Sequence, residues 1–179
     1  IPAEVTVRFQ PDAEGGYTVA RSVDTGRPDD APAGAPLGEA GPVRLPFGFP
    51  IGGERYREIT VMVVPALSFD AGGGCSPQCL GVDDRPRPGH PLAIAFASLR
   101  DIEALDPPRL SSRPDRVDVR WTVYGQAGQV SEHRATLWPD GAVELAYRGP
   151  RRHPTGGSAG LLPGAGPMQT TALATTAPR

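Results

Sequence analysis

Residues 117–147 have the sequence VDVRWTVYGQAGQVSEHRATLWPDGAVELAY, and this stretch decides the fold class. Four apolar residues stand at alternating positions in its first part: Val117, Val119, Trp121 and Val123. A period of two along the chain predicts a β-strand with one apolar face. Polar residues occupy the positions between them, so the opposite face of the strand is expected to meet water.

The second half of the stretch predicts a hairpin. Residues 130–138 form a second predicted strand, and Trp138-Pro139-Asp140-Gly141 has the composition of a tight turn in which glycine supplies a positive φ. Residues 143–147 alternate again and predict a third strand. Three consecutive antiparallel strands are therefore expected.

Short strands are predicted along the rest of the chain as well. Strands over residues 5–9 and 17–23 are expected to form a hairpin around Gly15-Gly16. Further strands are predicted over residues 59–64, 67–69, 92–96 and 158–162. Only residues 99–105 have a helical pattern, which ends at Asp106-Pro107-Pro108. Many short strands separated by turn residues indicate an all-β fold, an antiparallel β-sandwich of jelly-roll or immunoglobulin-like type.

Composition sets the domain organisation. The 23 glycines and 22 prolines make up a quarter of the 179 residues, and Leu, Ile, Val and Phe together contribute only about a fifth, so the core is expected to be modest. We expect a single β-sandwich domain over residues 1–163, with a Gly/Pro-rich insertion at about 24–42. Residues 164–179 are expected to form an extended tail, because they are too poor in apolar side chains to build a core.

Charge and residue usage narrow the class of protein. The net charge of −2 offers no basic field for nucleic acid, and no apolar run approaches the length of a membrane span. The chain contains no lysine and no asparagine, and all 18 basic residues are arginine, which is typical of a very GC-rich bacterial genome. The start at Ile1-Pro2-Ala3 fits an exported protein whose signal peptide has been removed, although a shortened chain would look the same.

The two cysteines lie in the segment Gly74-Cys75-Ser76-Pro77-Gln78-Cys79. Two cysteines this close in a Gly/Pro loop can close a small disulfide ring, and we expect Cys75 and Cys79 to do so. A metal site would need more ligands, for which only His90 is nearby, and the thioredoxin-type redox motif has two intervening residues rather than three. A disulfide favours a periplasmic or extracellular location.

For the other candidate catalytic and metal-binding residues, the sequence favours a structural role over a functional one. Residues 156–160 match the G-x-S-x-G motif around Ser158, but Pro163 and Gly164 prevent the helix that this nucleophile motif needs. The three histidines, His90, His133 and His153, share no metal-ligand spacing, and His133 is expected to be partly buried on a strand. Carboxylates near the cysteines are candidate calcium ligands without a calcium-binding pattern: Asp70, Asp83 and Asp84. We therefore expect no enzymatic activity, no metal and no cofactor.

Three patches of sequence resemble a bacterial extracellular β-sandwich module that is similar to nidogen-type domains. RLPFGFPIGGERY at residues 44–56 is similar to the LPF-x-FPFYG-x-x-Y opening of that family, and ITVMVVPALSF at residues 59–69 stands where its next strand begins. LWPDGAVELAY at residues 137–147 resembles its LYPDG-x-I-x-F-x-Y strand, and SAGLL at 158–162 its last strand. The family's acidic PFWDDL stretch is replaced by PLAIAFASL at residues 91–99. The resemblance implies an appended or accessory module without catalysis of its own.

These observations favour a non-catalytic structural or accessory subunit of a larger extracytoplasmic or membrane-associated assembly. Its expected partners are other protein subunits, contacted through loops and extended tails. Four side chains are candidate partner contacts: Arg148, Arg151, Arg152 and Trp138. The alternative is a secreted glycan- or peptide-binding module. Because Trp121 is assigned to the inward face, Trp138 is the only tryptophan left to build a platform for sugars.

Overall fold

Strands form almost all of the described structure. A computed structural model of the chain describes residues 4–24, 34–39, 41–69, 91–96, 102–125, 128–149, 158–163 and 169–172. Within these ranges there are fourteen strands and no helix, and every strand pairing is antiparallel. The predicted all-β fold is confirmed, and the two sheets pack against each other as a sandwich.

The larger sheet contains eight strands and carries the three-strand unit that the sequence predicts. Its strands in sheet order are β2 (Tyr17–Asp24), β1 (Glu4–Pro11), β12 (Val143–Arg148), β11 (Gln129–Leu137), β10 (Arg116–Gly125), β9 (Arg109–Arg113) and β3 (Ala35–Pro36). An eighth strand, β8 (Ile102–Leu105), also pairs with β10. The register places Val119 opposite Ala135 and Ala135 opposite Leu145, so small and large apolar side chains share one face.

The smaller sheet has six strands. In sheet order they are β14 (Gln169–Ala172), β13 (Ser158–Pro163), β7 (Pro91–Phe96), β6 (Ala66–Ser68), β5 (Glu54–Val61) and β4 (Gly41–Ile51). The β4–β5 hairpin turns at Gly52-Gly53, where φ is +62° and +85°. Glycine adopts such angles without the steric penalty that a Cβ brings. Residues 44–56, which carry the LPF pattern, therefore span the end of β4, this turn and the start of β5.

Two segments differ from the sequence-based expectation. Residues 102–105 were expected to be helical, which is wrong, because Ile102–Leu105 is β8 and pairs with β10. Four residues are too few to hold a helix by local propensity, and the open edge of β10 offers backbone partners instead. Gln169–Ala172, which we expected to belong to an extended tail, forms β14 at the edge of the smaller sheet and pairs with β13.

Apolar side chains of both sheets meet in one core. The larger sheet contributes Phe9, Trp121 and Leu145, which pack with Phe49 and Leu67 of the smaller sheet. Phe49 in turn stacks on Phe69 with ring centroids 5.0 Å apart. The indole of Trp121 is 1 % exposed, and its Nε1–H donates to the carbonyl oxygen of Met62 at 2.9 Å. This hydrogen bond satisfies the polar atom of a buried tryptophan and joins the two layers.

Candidate functional site

The side of the larger sheet that points away from the core is densely charged. Because Val5, Val7 and Phe9 point into the core, alternation sends Glu4 and Arg8 to the other side. The same rule on the neighbouring strands adds further charged residues. We call this surface the outer face, and its principal side chains are Glu4, Arg8, Arg109, Arg120, Glu132, Arg134, Glu144 and Arg148.

Ion pairs hold most of these side chains in place. Arg134 Nη2 lies 3.3 Å from Glu4 Oε1 and 3.2 Å from Glu144 Oε1, so one guanidinium joins β1, β11 and β12. Arg148 Nη2 lies 3.9 Å from Glu4 Oε2, and Arg148 Nη1 lies 3.7 Å from Glu132 Oε2. Pairs of this kind contribute about 1 kcal/mol or less each to stability when exposed. Their clearer effect is to order the charges of the outer face before any ligand arrives.

Arg120 stands in the middle of a row of three arginines. The register places it opposite Arg134 on one side and opposite Arg109 on the other. Its Nε and Nη2 atoms are buried, and neither has a hydrogen-bond partner among the described residues. A buried donor without an acceptor costs about 1–3 kcal/mol, and more when it is charged. Arg120 is therefore the least satisfied cation of the outer face.

A cavity of about 360 Å³ opens beside Arg120. Arginine and glutamate line it together, since Arg109 and Arg148 contribute positive charge and Glu4 and Glu132 contribute negative charge. Arg109 Nη2 donates to the carbonyl oxygen of Gly34 at 3.0 Å, which ties this side chain to the segment before β3. The arrangement can hold a small anion once the Arg120 side chain turns its guanidinium toward the cavity.

Two of the predicted contact residues lie on this outer face. Arg148 ends β12 beside the cavity. Trp138 follows β11 at the other end of the sheet, where the guanidinium carbon of Arg8 lies 4.5 Å from its ring centroid. That cation–π contact occupies one face of the ring. The structure therefore places Arg148 and Trp138 on one surface but does not bring them together.

Several sequence-based candidates fall outside the described residues. They are Arg151, Arg152, Cys75, Cys79, Asp70, Asp83, Asp84, His90 and His153. The disulfide and the calcium ligands therefore stay predictions. Within the described ranges no group of three or more potential metal ligands is found.

Ser158 does not stand in the setting of a nucleophile. It begins β13, which runs on to Pro163 and pairs with β7 on one side and β14 on the other. The G-x-S-x-G motif works on a sharp strand-to-helix turn, and here a paired strand follows the serine. This geometry supports the interpretation of the motif as a product of glycine-rich composition.

His133 belongs to the core side of the sheet. It is 2 % exposed, and its Nε2 forms a hydrogen bond of 3.2 Å with the hydroxyl of Ser131. The ring of Tyr147 meets it edge-on with centroids 5.2 Å apart. Burial raises the pKa of Tyr147 to about 12, so this phenol stays neutral throughout the physiological range. The two rings act in packing.

Arg120 is the functional candidate that sequence reasoning missed. Alternation along residues 117–123 already places it on the polar face. Its position between two other arginines depends on the register of β9, β10 and β11, and no local pattern contains that information.

Comparison of the chain with protein-family models, with curated proteins and with solved structures finds no match. Across the described residues, no helix has the length and apolar character required to cross a bilayer.

Proposed function

We propose that this chain is a non-catalytic accessory subunit of a larger extracytoplasmic assembly and that it docks on a partner protein through its outer face. The observation that carries the proposal is that Nε and Nη2 of Arg120 have no hydrogen-bond partner among the described residues, beside a cavity on a surface where most of the principal charged side chains are ion-paired. Docking would supply the missing acceptor and recover the free energy that its burial costs.

The mixture of charges supports a protein as the partner. Glu4, Glu132 and Glu144 stand between the arginines, so the outer face does not offer the continuous positive potential that nucleic acid requires. Alternating charge instead suits a complementary protein surface, where it fixes register and rejects wrong partners. The parts of the Gly/Pro-rich insertion at about residues 24–42 and of the C-terminal tail that lie outside β3, β4 and β14 are proposed to add further contacts.

A periplasmic or extracellular location is part of the proposal, and the assembly is proposed to be extracytoplasmic or membrane-associated. The close spacing of Cys75 and Cys79 supports an oxidising compartment, and so does the resemblance to secreted accessory modules.

The glycan-binding alternative has less support. Trp121 is buried in the core, and Arg8 covers one ring face of Trp138. Sugar recognition commonly uses an open aromatic ring face. The buried Trp121 offers no open face, and Trp138 offers at most one. The peptide-binding form of the alternative agrees with docking on a protein chain.

Site-specific photo-crosslinking tests the docking proposal. A photoreactive residue at Thr122, which lines the cavity, is compared with one at Glu58, which is exposed on β5 of the smaller sheet. In cells that express the chain natively, we expect position 122 to capture one defined protein and position 58 not to capture it. Equal capture at both positions, or capture at neither, would show that the outer face is not the docking surface.

A further inference from the structure

We infer that the cavity beside Arg120 binds a carboxylate group, supplied by an acidic side chain of the partner and held side-on by Nε and Nη2 of Arg120. The source of the carboxylate rests on the proposed function. Its chemistry rests on the donors and charges of the cavity, and these can be tested without any partner.

The unsatisfied atoms of Arg120 have the geometry of a carboxylate fork. Nε–H and one Nη2–H of a guanidinium point in the same direction from a planar group, and the two oxygens of a carboxylate accept both at once. In Arg120 these are the two nitrogens without a partner. The side chain lines the cavity and is long and flexible, so a rotamer change can turn the fork toward an entering ligand.

The surrounding charges favour an anion with a single charge. Arg134 and Arg148 are already paired with glutamates and Arg109 donates to the carbonyl of Gly34, whereas Nε and Nη2 of Arg120 have no partner among the described residues. Glu4 and Glu132 also line the cavity. Their carboxylates would repel a phosphate or sulfate with two negative charges more strongly than a carboxylate with one.

Competition from the described acidic residues is weak at this position. Glu132 is the most exposed acid of the cavity, with a side chain 63 % accessible, and its oxygen lies 3.7 Å from Arg148. Glu4 contacts Arg134 and Arg148. Within the described residues, both carboxylates that line the cavity therefore already have cationic neighbours other than Arg120.

An NMR titration of the whole 179-residue chain tests this inference. Acetate is added to the ¹⁵N-labelled protein, with sulfate and chloride as comparison anions at matched ionic strength. We expect one arginine Nε–H resonance to shift and saturate with acetate, and to be absent in Arg120→Lys. Loss of two charge-assisted hydrogen bonds predicts at least about a tenfold weaker affinity for acetate in Arg120→Gln.

Three further variants separate the fork from general charge. Arg120→Lys keeps the positive charge and most of the stem, and we expect it to bind acetate as weakly as Arg120→Gln; it decides alone if Arg120→Gln does not fold. Arg113→Gln removes a cation from β9 at the far end of β10, and should bind like the wild type. Glu132→Gln should bind acetate at least as tightly as the wild type, because it removes a repulsive charge.

Five outcomes would contradict this inference. Full binding by Arg120→Lys, sulfate binding as tight as acetate binding, an equal loss in Arg113→Gln, weaker binding in Glu132→Gln, or no saturable shift would each overturn the carboxylate site. None of these results involves a partner, so crosslinking at Thr122 decides the docking proposal separately.

Discussion

At the scale of single residues, Gly141 shows how a turn and a layer contact can demand the same amino acid. Its φ is +90°, which suits the turn after Trp138-Pro139-Asp140. The turn also closes tightly, because Gly141 N–H donates to the Trp138 carbonyl at 3.0 Å. A Cβ on this residue would lie 2.9 Å from the carbonyl oxygen of Pro50 and 3.1 Å from Pro11. Both the conformation and the available space therefore require glycine.

Gly141→Ala should destabilise the protein more than the matched change Gly53→Ala. Gly53 has a similar φ of +85°, but nothing lies within 4 Å of its would-be Cβ. The backbone angle alone costs about 1–2 kcal/mol in both variants. Overpacking against Pro50 should add about 1–3 kcal/mol in Gly141→Ala. Urea unfolding of the two variants measures the difference, and equal losses would show that the contact with Pro50 carries no free energy.

At the scale of elements, the edge strand β2 of the larger sheet and the edge strand β14 of the smaller sheet serve different purposes. Strand β2 is an edge whose Val19 and Val23 are 46 % and 48 % exposed, and Arg21 lies between them. A charged residue in the middle of an open edge strand discourages pairing with another chain. At the edge of the smaller sheet β14 covers β13, whose Leu161 lies in the core with no exposed surface. β14 therefore pairs with the edge of the strand that carries this core residue.

Two C-terminal truncations should separate β14 from the residues beyond it. Removal of residues 164–179 deletes β14 and leaves the outer edge of β13 unpaired, which should cost about 1–3 kcal/mol from the lost ladder. For a chain of this size that corresponds to a melting temperature lower by roughly 2–12 °C. Removal of residues 173–179 keeps β14 and should leave the melting temperature nearly unchanged. If both truncations melt like the full chain, β14 does not contribute to stability.

At the scale of the whole molecule, the two sheets depend on one shared core. Trp121 of the larger sheet packs with Phe49 and Leu67 of the smaller one and donates to Met62 between β5 and β6. Neither sheet can expose its inner face without uncovering that of the other. The sandwich should therefore gain and lose its structure as one unit.

Unfolding in urea should show a single transition for both layers. In a Trp138→Phe variant the only remaining tryptophan is Trp121, so its fluorescence reports on the shared core. Far-UV circular dichroism reports on the strands of both sheets. We expect the two signals to give the same midpoint, because two-state unfolding makes all probes coincide. A fluorescence transition at lower urea than the circular dichroism transition would show that the layers separate first.

Local periodicity predicts five strands of the larger sheet, β1, β2, β10, β11 and β12, but not β3, β8 or β9. A period of two is a local property, so Trp121 and His133 could be assigned inward and the β10–β11–β12 unit predicted from the 117–147 stretch alone. Apolar residues occupy one face of a strand wherever the strand lies in the sheet, because burial of that face lowers the free energy of the folded state.

The order and register of the strands depend on non-local pairing, which the local sequence pattern does not contain. That pairing forms the candidate site. Arg109, Arg120 and Arg134 come from three strands, and the cross-strand register alone aligns them in one row. The same non-local pairing turned residues 102–105 into β8 and residues 169–172 into β14, where local composition had indicated a helix and a tail. Backbone groups on an open strand edge accept any chain that reaches them in register, and a short segment's own propensity is too weak to oppose that pairing.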